Sequence, residues 1–244
     1  MRRILESARS TLIWMVILPV LGIACLLIIG LSLVHQGKGL DGLMKISSRL
    51  ILAFCGIRVR IGGVENMAPG AQYIVMMNHV NLFDPLVFYS RFPGLARGIE
   101  EESHFRWPFY GWMLRRVGMI PISRKDPEKA RTSLAKAAAF VRERPGYSII
   151  ILPEGTRTRD GKLGPFKRGG FHLALETGLD ILPIVQTGSY RIIRKGSRLI
   201  RPGRVALSVL PPIHVAGFAR DAVGDLADLT RSVFLAALKE PGSI

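Results

Sequence analysis

The chain has 244 residues, 48% of them hydrophobic, with Lys+Arg 34 against Asp+Glu 18 and a formal net charge of +16. That length favours one domain plus an appendage over two full domains, and a chain both oily and basic points to a membrane surface before nucleic acid, whose binders seldom carry long apolar runs. Cys25 and Cys55 lie in apolar stretches and read as small hydrophobes in a reducing compartment rather than as a disulfide or a metal pair.

The first element is TLIWMVILPVLGIACLLIIGLSLV, Thr11 to Val34, 24 residues without a formal charge. As a helix it extends roughly 36 Å against about 30 Å of bilayer hydrocarbon, and it is too long for a cleaved signal peptide with no A-x-A-like site after it. Arg2, Arg3 and Arg9 flank one end and Lys38, Lys45 and Arg49 the other, so the positive-inside comparison is nearly a tie. That tie fits a single span, or a bent element with Pro19, Gly22 and Gly30 as bend points and both ends on one side. In LMKISSRLILAFCG, Leu43, Ile46, Leu50 and Phe54 recur at helical spacing while Lys45, Ser48 and Arg49 supply polarity, the pattern of a helix lying in the membrane interface. Residues 1–56 are therefore expected to form a membrane-anchoring helical element ahead of a domain over residues 57–244.

From residue 57 short β-rich runs alternate with helical patterns, which predicts an α/β domain with a mixed, largely parallel sheet flanked by helices. The expected strands are 57–61, 73–77, 117–122, 147–152, 181–185 and 205–210; several are continuously apolar, so the sheet should be covered on both faces. Helices are expected from Pro127 to Arg144, from about Arg168 to Gly178 and from about Asp221 to Lys239.

Between strand 73–77 and a helix opening at DPLVFYSRF lies NHVNLF, residues 78–83. Loops that leave strand ends in α/β folds are where ligands usually meet the protein. By itself, Asp84 followed by Pro85 is a standard helix start with the aspartate at the N-cap, and a lone His79 is more often a satisfied structural histidine.

Three further segments stand in register with NHVNLFDP: HFRWPFYGWMLRRVGMIPISR from His104, LPEGTRTRDGKLGPFKRGG from Leu152, and DILPIVQTG from Asp180. Their order and spacing are those of the four sequence blocks of the glycerolipid acyltransferases. Over roughly residues 57–215 the chain resembles that family, most closely those members that acylate 1-acyl-glycerol-3-phosphate to phosphatidic acid. The resemblance implies catalytic roles for His79 and Asp84 and an acceptor-binding role for Glu154, Gly155, Thr156 and Arg157, with Arg124 near the acceptor's phosphate. It also implies a membrane lipid environment, a lyso-phospholipid acceptor, and an acyl-CoA or acyl carrier protein thioester as co-substrate. The active domain would face the cytoplasm, at the inner membrane if the cell is bacterial. No metal or organic cofactor and no nucleic acid are expected.

The reaction needs a base to take a proton from a hydroxyl that attacks a thioester carbonyl. Neutral imidazole suits that task near neutrality, with Asp84 fixing its tautomer and stabilising the imidazolium. No G-x-S-x-G elbow occurs and neither cysteine lies near the blocks, so direct transfer in a ternary complex is expected. Oxyanion donors are expected among backbone N–H groups near Gly111 or the first block. Arg157 can grip a phosphate through two parallel hydrogen bonds.

One position departs from the family. Many close members carry a lysine six residues before the second-block proline, and here that residue is Glu102. Either Arg106, Lys167 or Arg168 substitutes for it, or the acceptor is another lyso-lipid such as a lyso-aminolipid. A hydrolase, a non-catalytic lipid-binding protein and a polyanion binder are the competing functions. Trp107, Phe109, Tyr110 and Trp112 fit an acyl tunnel, an interfacial anchor or plain core packing. The run Tyr190–Arg204, with six basic residues in fifteen, fits a solvated hairpin or a patch facing anionic lipid or donor phosphates.

Overall fold

The computed structural model describes residues 2–34, 38–123 and 125–239. Two helices, α1 (Arg2–Val34) and α2 (Lys38–Phe54), precede the alternating part: β1 (Ile57–Gly62), β2 (Ile74–Met77), α3 (Asp84–Arg91), β3 (Leu95–Glu101), α4 (Tyr110–Val117), β4 (Ile120–Ile122), α5 (Pro127–Glu143), β5 (Tyr147–Ile151), α6 (Gly169–Thr177), β6 (Ile181–Thr187), β7 (Gly203–Val209) and α7 (Val223–Lys239). The strands form one sheet in the order β1-β7-β6-β2-β5-β3-β4. Its pairings are parallel except β6 with β7, which is antiparallel.

Strand periodicity sorts the core. On β2, Val75 and Met77 face one cluster together with Ile17 of α1, Ile51 and Leu52 of α2 and Phe88 of α3. Ile74 and Met76 face the opposite cluster, with Ala137 of α5, Phe171 of α6 and Phe234 of α7. The sheet is thus covered on both faces, as its continuously apolar strands require.

Two elements differ from expectation. Only the second half of the segment expected as a strand over 117–122 is one: Val117 ends α4, Gly118 closes that helix at φ 80, and Ile120–Ile122 pairs. Strand β3 was not foreseen, because its RGIEE half lacks strand composition; it is nonetheless held between β5 and β4.

Helix α1 runs unbroken through Pro19, Gly22 and Gly30. It is one helix long and apolar enough to cross a membrane, and only 22% of its most apolar window is buried. Its first half is also docked: Ser10 Oγ accepts from Ile200 N–H at 3.0 Å, and Trp14 Nε1 donates to Arg198 O at 2.8 Å. The basic run after β6 is therefore no free hairpin, since Ile192, Ile193 and Ile200 are buried within the cluster that α1 joins. On α2, Ile46, Leu50 and Phe54 are exposed as an interfacial helix requires. Its polar side chains instead face the domain: Lys45 Nζ donates to Pro93 O and Gly94 O, and Arg49 Nε to Ser90 O, satisfying carbonyls around the end of α3.

Beneath α2, the buried Asp41 pairs with Arg97 of β3 and accepts from Tyr147 Oη at 3.0 Å. A buried ion pair is costly to break from one side, so this contact pins α2 to the sheet.

Candidate active site

Strands β2, β5 and β6 run parallel and adjacent, so the loops leaving their carboxyl ends converge on one edge. Those loops carry the first, third and fourth sequence blocks. His79 is the second residue beyond β2, its side chain 12% exposed, and its Nδ1 lies 2.7 Å from Asp84 Oδ2.

Asp84 is wholly buried, and every partner it meets is a donor. Oδ2 accepts from Val80 N–H at 2.7 Å and Asn81 N–H at 3.1 Å; Oδ1 accepts from Asn81 N–H at 3.1 Å and from Gln186 Nε2 at 2.7 Å. An ionised carboxylate suits an all-donor shell. With Nδ1–H donated to it, the neutral imidazole carries its lone pair on Nε2. The expected N-cap role is not what this carboxylate does: Phe83 holds the cap position without a side-chain bond, and Asp84, in the first turn of α3, reaches back to the loop before the helix.

Gln186 near the end of β6 is the second keystone. Its N–H donates to Asn78 Oδ1 at 2.7 Å, its Nε2 to Asn78 O at 2.9 Å as well as to Asp84, and its Oε1 accepts from Ser189 Oγ at 2.8 Å. Asn78 Nδ2 returns a bond to Gln186 O at 3.0 Å, and Asn81 Nδ2 donates to Ser189 O at 2.7 Å. The first and fourth blocks are thereby laced together by buried amides. Sequence reasoning passed over Gln186, Asn78, Asn81 and Ser189, although a Gln closing an apolar strand was a signal: a buried amide needs partners.

Glu154 supplies the third tie. Oε1 accepts from His79 N–H at 2.7 Å and Oε2 from Gly164 N–H at 3.0 Å, while Thr158 N–H donates to His79 O at 3.0 Å. Desolvation raises the Glu154 pKa above its ordinary 4.5, opposed by those two amide bonds. Its carboxylate thus orients the histidine's backbone and closes the 154–164 loop.

Gly155 occupies the turn at φ +65, and a Cβ there would come within 2.9 Å of the Lys167 side chain. Thr156 and Arg157 line a basic cleft of about 690 Å³ with Arg159, Lys162 and Lys167. Lys195, from the loop after β6, reaches into the same cleft, its Nζ donating to Thr156 Oγ1 at 2.8 Å and to Arg157 O at 3.2 Å; sequence reasoning gave it no individual role. Arg124 lies outside the described residues. Arg168 stands at the N-cap of α6, exposed, and Glu102 is half-buried at the start of a short 3-10 helix over Glu102–Arg106.

Against Asp84 lies a narrow apolar cavity of about 100 Å³. Asp84 and Met77 line it together with residues of α1, α2 and α4, among them Cys25, Met44 and Tyr110. Of the second-block aromatics, Tyr110 faces this cavity, whereas Trp107, Phe109 and Trp112 are exposed. Of the backbone donors near Gly111 and in the first block, five are already occupied: Gly111 N–H donates to Trp107 O, and the N–H groups of His79, Val80, Asn81 and Phe83 go to side chains.

The class this arrangement defines is an α/β protein whose imidazole–carboxylate pair stands at the carboxyl edge of a mostly parallel sheet, with an apolar cavity against the carboxylate and a basic cleft reached through Glu154. Residues 58–187 match the Acyltransferase family model, and the chain belongs to that family. It is 32% identical over 186 residues to a 1-acyl-sn-glycerol-3-phosphate acyltransferase of Limnanthes douglasii, covering 76% of this chain and 65% of the plant protein. It is also 31% identical over 208 residues to the 1-acyl-sn-glycerol-3-phosphate acyltransferase alpha of Bos taurus, covering 84% of this chain and 72% of the bovine one. The chain thus spans just under two thirds of the plant relative's length. Its fold matches the crystal structure of the 1-acyl-sn-glycerophosphate (LPA) acyltransferase PlsC from Thermotoga maritima, with a TM-score of 0.83 over 100% of both chains at 21% identity.

Proposed function

We propose that this protein transfers a fatty acyl chain from an acyl-CoA or acyl carrier protein thioester to the sn-2 hydroxyl of 1-acyl-glycerol-3-phosphate, giving phosphatidic acid for phospholipid synthesis. The observation that carries the proposal is that the His79–Asp84 pair is joined to two unlike surroundings: Asp84 lines an apolar cavity, and Glu154, which accepts from His79 N–H, lines a cleft rich in cations. An amphiphile with one acyl chain and one phosphate matches those two surroundings, and the similar plant and bovine proteins are named for that acceptor.

His79 Nε2 takes the proton of the acceptor hydroxyl as its oxygen attacks the thioester carbonyl. The tetrahedral intermediate collapses, the C–S bond breaks, and the imidazolium returns the proton to the leaving thiolate. Asp84 stabilises the imidazolium between those steps, and such general-base assistance is typically worth about 10² to 10⁴ in rate. Both cysteines are free and buried among apolar side chains, which supports transfer without an acyl-enzyme. None of these steps calls on a metal or an organic cofactor.

The exposed apolar side chains of α1 and of Ile46, Leu50 and Phe54 on α2 support a membrane location. The acceptor stays in the bilayer, because each buried CH₂ holds it there by about 0.8 kcal/mol. We place the domain on the cytoplasmic side, where thioester donors and free thiols persist.

The test incubates membranes bearing the protein with labelled acyl thioesters and a panel of lyso-lipids that includes a lyso-aminolipid, since Glu102 stands where the family resemblance leads to the expectation of a lysine. Acceptor-dependent thiol release with labelled phosphatidic acid is the expected result. Thiol release without acceptor would instead identify a hydrolase. No thiol release with any acceptor would leave only lipid binding, and undiminished transfer by a folded His79→Ala variant would sink the role given to His79.

A further inference from the structure

Four aromatic rings are exposed among the described residues, and three of them, Trp107, Phe109 and Trp112, fall within six positions at 52%, 44% and 52%. The clustering has a backbone cause. Gly111 lies so close to the preceding 3-10 helix that a Cβ there would sit 2.4 Å from Phe105 O. The chain therefore doubles back tightly and thrusts residues 107–109 outward as the tip of a turn. Phe109 takes φ 57 and ψ −59, the one non-glycine residue at positive φ among those described. A strained conformation persists only where the surroundings hold it, and such strain clusters at functional places. Here its product is an outward-facing ring that meets Trp112 edge-on at 5.4 Å.

Helix α4 has two faces with separate occupants. Its inner face gives Tyr110, Met113 and Leu114 to the apolar cavity. Its outer face carries Trp112, Arg115 and Arg116, all exposed, with Arg106 exposed just ahead. Met113, Leu114 and Val117 also share a cluster with Cys25 and Ile28 of α1. Neighbouring α1 side chains Ile23, Leu26 and Leu27 are more than half exposed, so the outer face of α4 adjoins the apolar half of the long helix. Amphipathic aromatics with an arginine rim are what settles at headgroup depth on an anionic bilayer.

From this placement we propose that the turn 107–109 and the outer face of α4 form a further bilayer contact beside α1 and α2, with anionic lipid as the occupant. Trp107, Phe109 and Trp112 bed at the headgroup boundary while the arginines meet lipid phosphates. The α4 wall of the acyl cavity then stands against the membrane, the phase from which acyl chains arrive. This inference rests on the membrane location proposed above.

The test uses the full chain reconstituted in phosphatidylcholine vesicles containing phosphatidylglycerol, with brominated or plain acyl chains. Tryptophan emission of the unmodified protein is compared with that of Trp112→Phe, so that the difference reports Trp112 alone; Trp107→Phe gives the same reading at the turn. The Trp112 component should lose about half its intensity in brominated vesicles, because an interfacial ring reaches roughly 5–10 Å into the headgroup and acyl boundary. Equal Trp112 emission in brominated and plain vesicles that carry the protein overturns the α4 contact alone, and would also be the outcome if a protein partner covered this face. Failure of the protein to float with vesicles at all overturns the membrane location itself. Should Trp112→Phe not fold, lipid quenching of Phe109→Trp, which places a reporter in the turn, decides the same point.

Discussion

Gln186→Leu isolates what the buried amide lacing contributes. The substitution keeps approximate volume and removes three contacts: Nε2 to Asp84 Oδ1 at 2.7 Å, Nε2 to Asn78 O at 2.9 Å and Ser189 Oγ to Oε1 at 2.8 Å. A hydrogen bond to a charged group is worth about 1.5–3 kcal/mol, and each buried group left unsatisfied costs about 1–3 kcal/mol. The two bonds between the Gln186 backbone and the Asn78 side-chain amide survive, so a net loss near 3 kcal/mol follows rather than the full sum. For a chain of this size that is roughly 6–12 °C in melting temperature. Asp84 retains the Val80 and Asn81 amides but loses the Gln186 side chain from Oδ1, so the pair loosens without being abolished. The acyl transfer rate should fall by roughly 10- to 100-fold, below the 10² to 10⁴ carried by the base itself, with little change in acceptor KM. Thermal melting in detergent and steady-state thiol release measure the two effects. A variant within 2 °C and twofold of the parent would refute the view that Gln186 positions the pair.

Lys195→Ala removes an ammonium from the cleft while leaving the His79–Asp84 pair untouched; KM for a phosphate-bearing acceptor should rise by about tenfold, the equivalent of ~1.4 kcal/mol, with kcat nearly constant in acceptor titrations. Glu154→Gln keeps one acceptor where two amides need partners, so it should lower stability by about 1–3 kcal/mol. Because the Glu154 pKa is raised on folding, its contribution is fullest below the ordinary 4.5 and is lost as pH rises through the raised value. Melting temperatures measured between about pH 4 and 7 should therefore show a shallower decline with pH in Glu154→Gln than in the parent. Gly111→Ala sets a methyl 2.4 Å from Phe105 O; the overpacking should cost about 1–3 kcal/mol, visible as a melting temperature lowered by about 2–4 °C for each kcal/mol.

Much of this fold is written locally. Alternation within β2 assigns Val75 and Met77 to one face and Ile74 and Met76 to the other, and α5 announces itself through Pro127 and the Asp126 cap, whose Oδ1 accepts from Glu128 N–H at 3.1 Å. Period and capping act within a few residues, so a sequence displays them directly. Strand β3 escaped for the converse reason: its RGIEE half is made a strand by its neighbours on either side, a tertiary effect that overrides composition. The same holds on α2, where Lys45 and Arg49 read as water-facing but turn to carbonyls around α3.

The sequence by itself paired His79 with Asp84 through the register of its four blocks, because the stretch alone reads equally as a helix start beside a structural histidine. The tertiary structure decided what the carboxylate does there. Asp84 looked like a helix cap and instead gathers four donors, one of them Gln186 from 102 residues away. It also decided that Glu154, expected at the acceptor, bonds the histidine's own backbone from 75 residues away, and that Lys195 shares the cleft with Arg157. Local patterns fix dihedrals and faces, whereas partners brought together by a parallel sheet have no fixed separation along the chain. Only the packing of β2 between β5 and β6 brings those side chains to one edge.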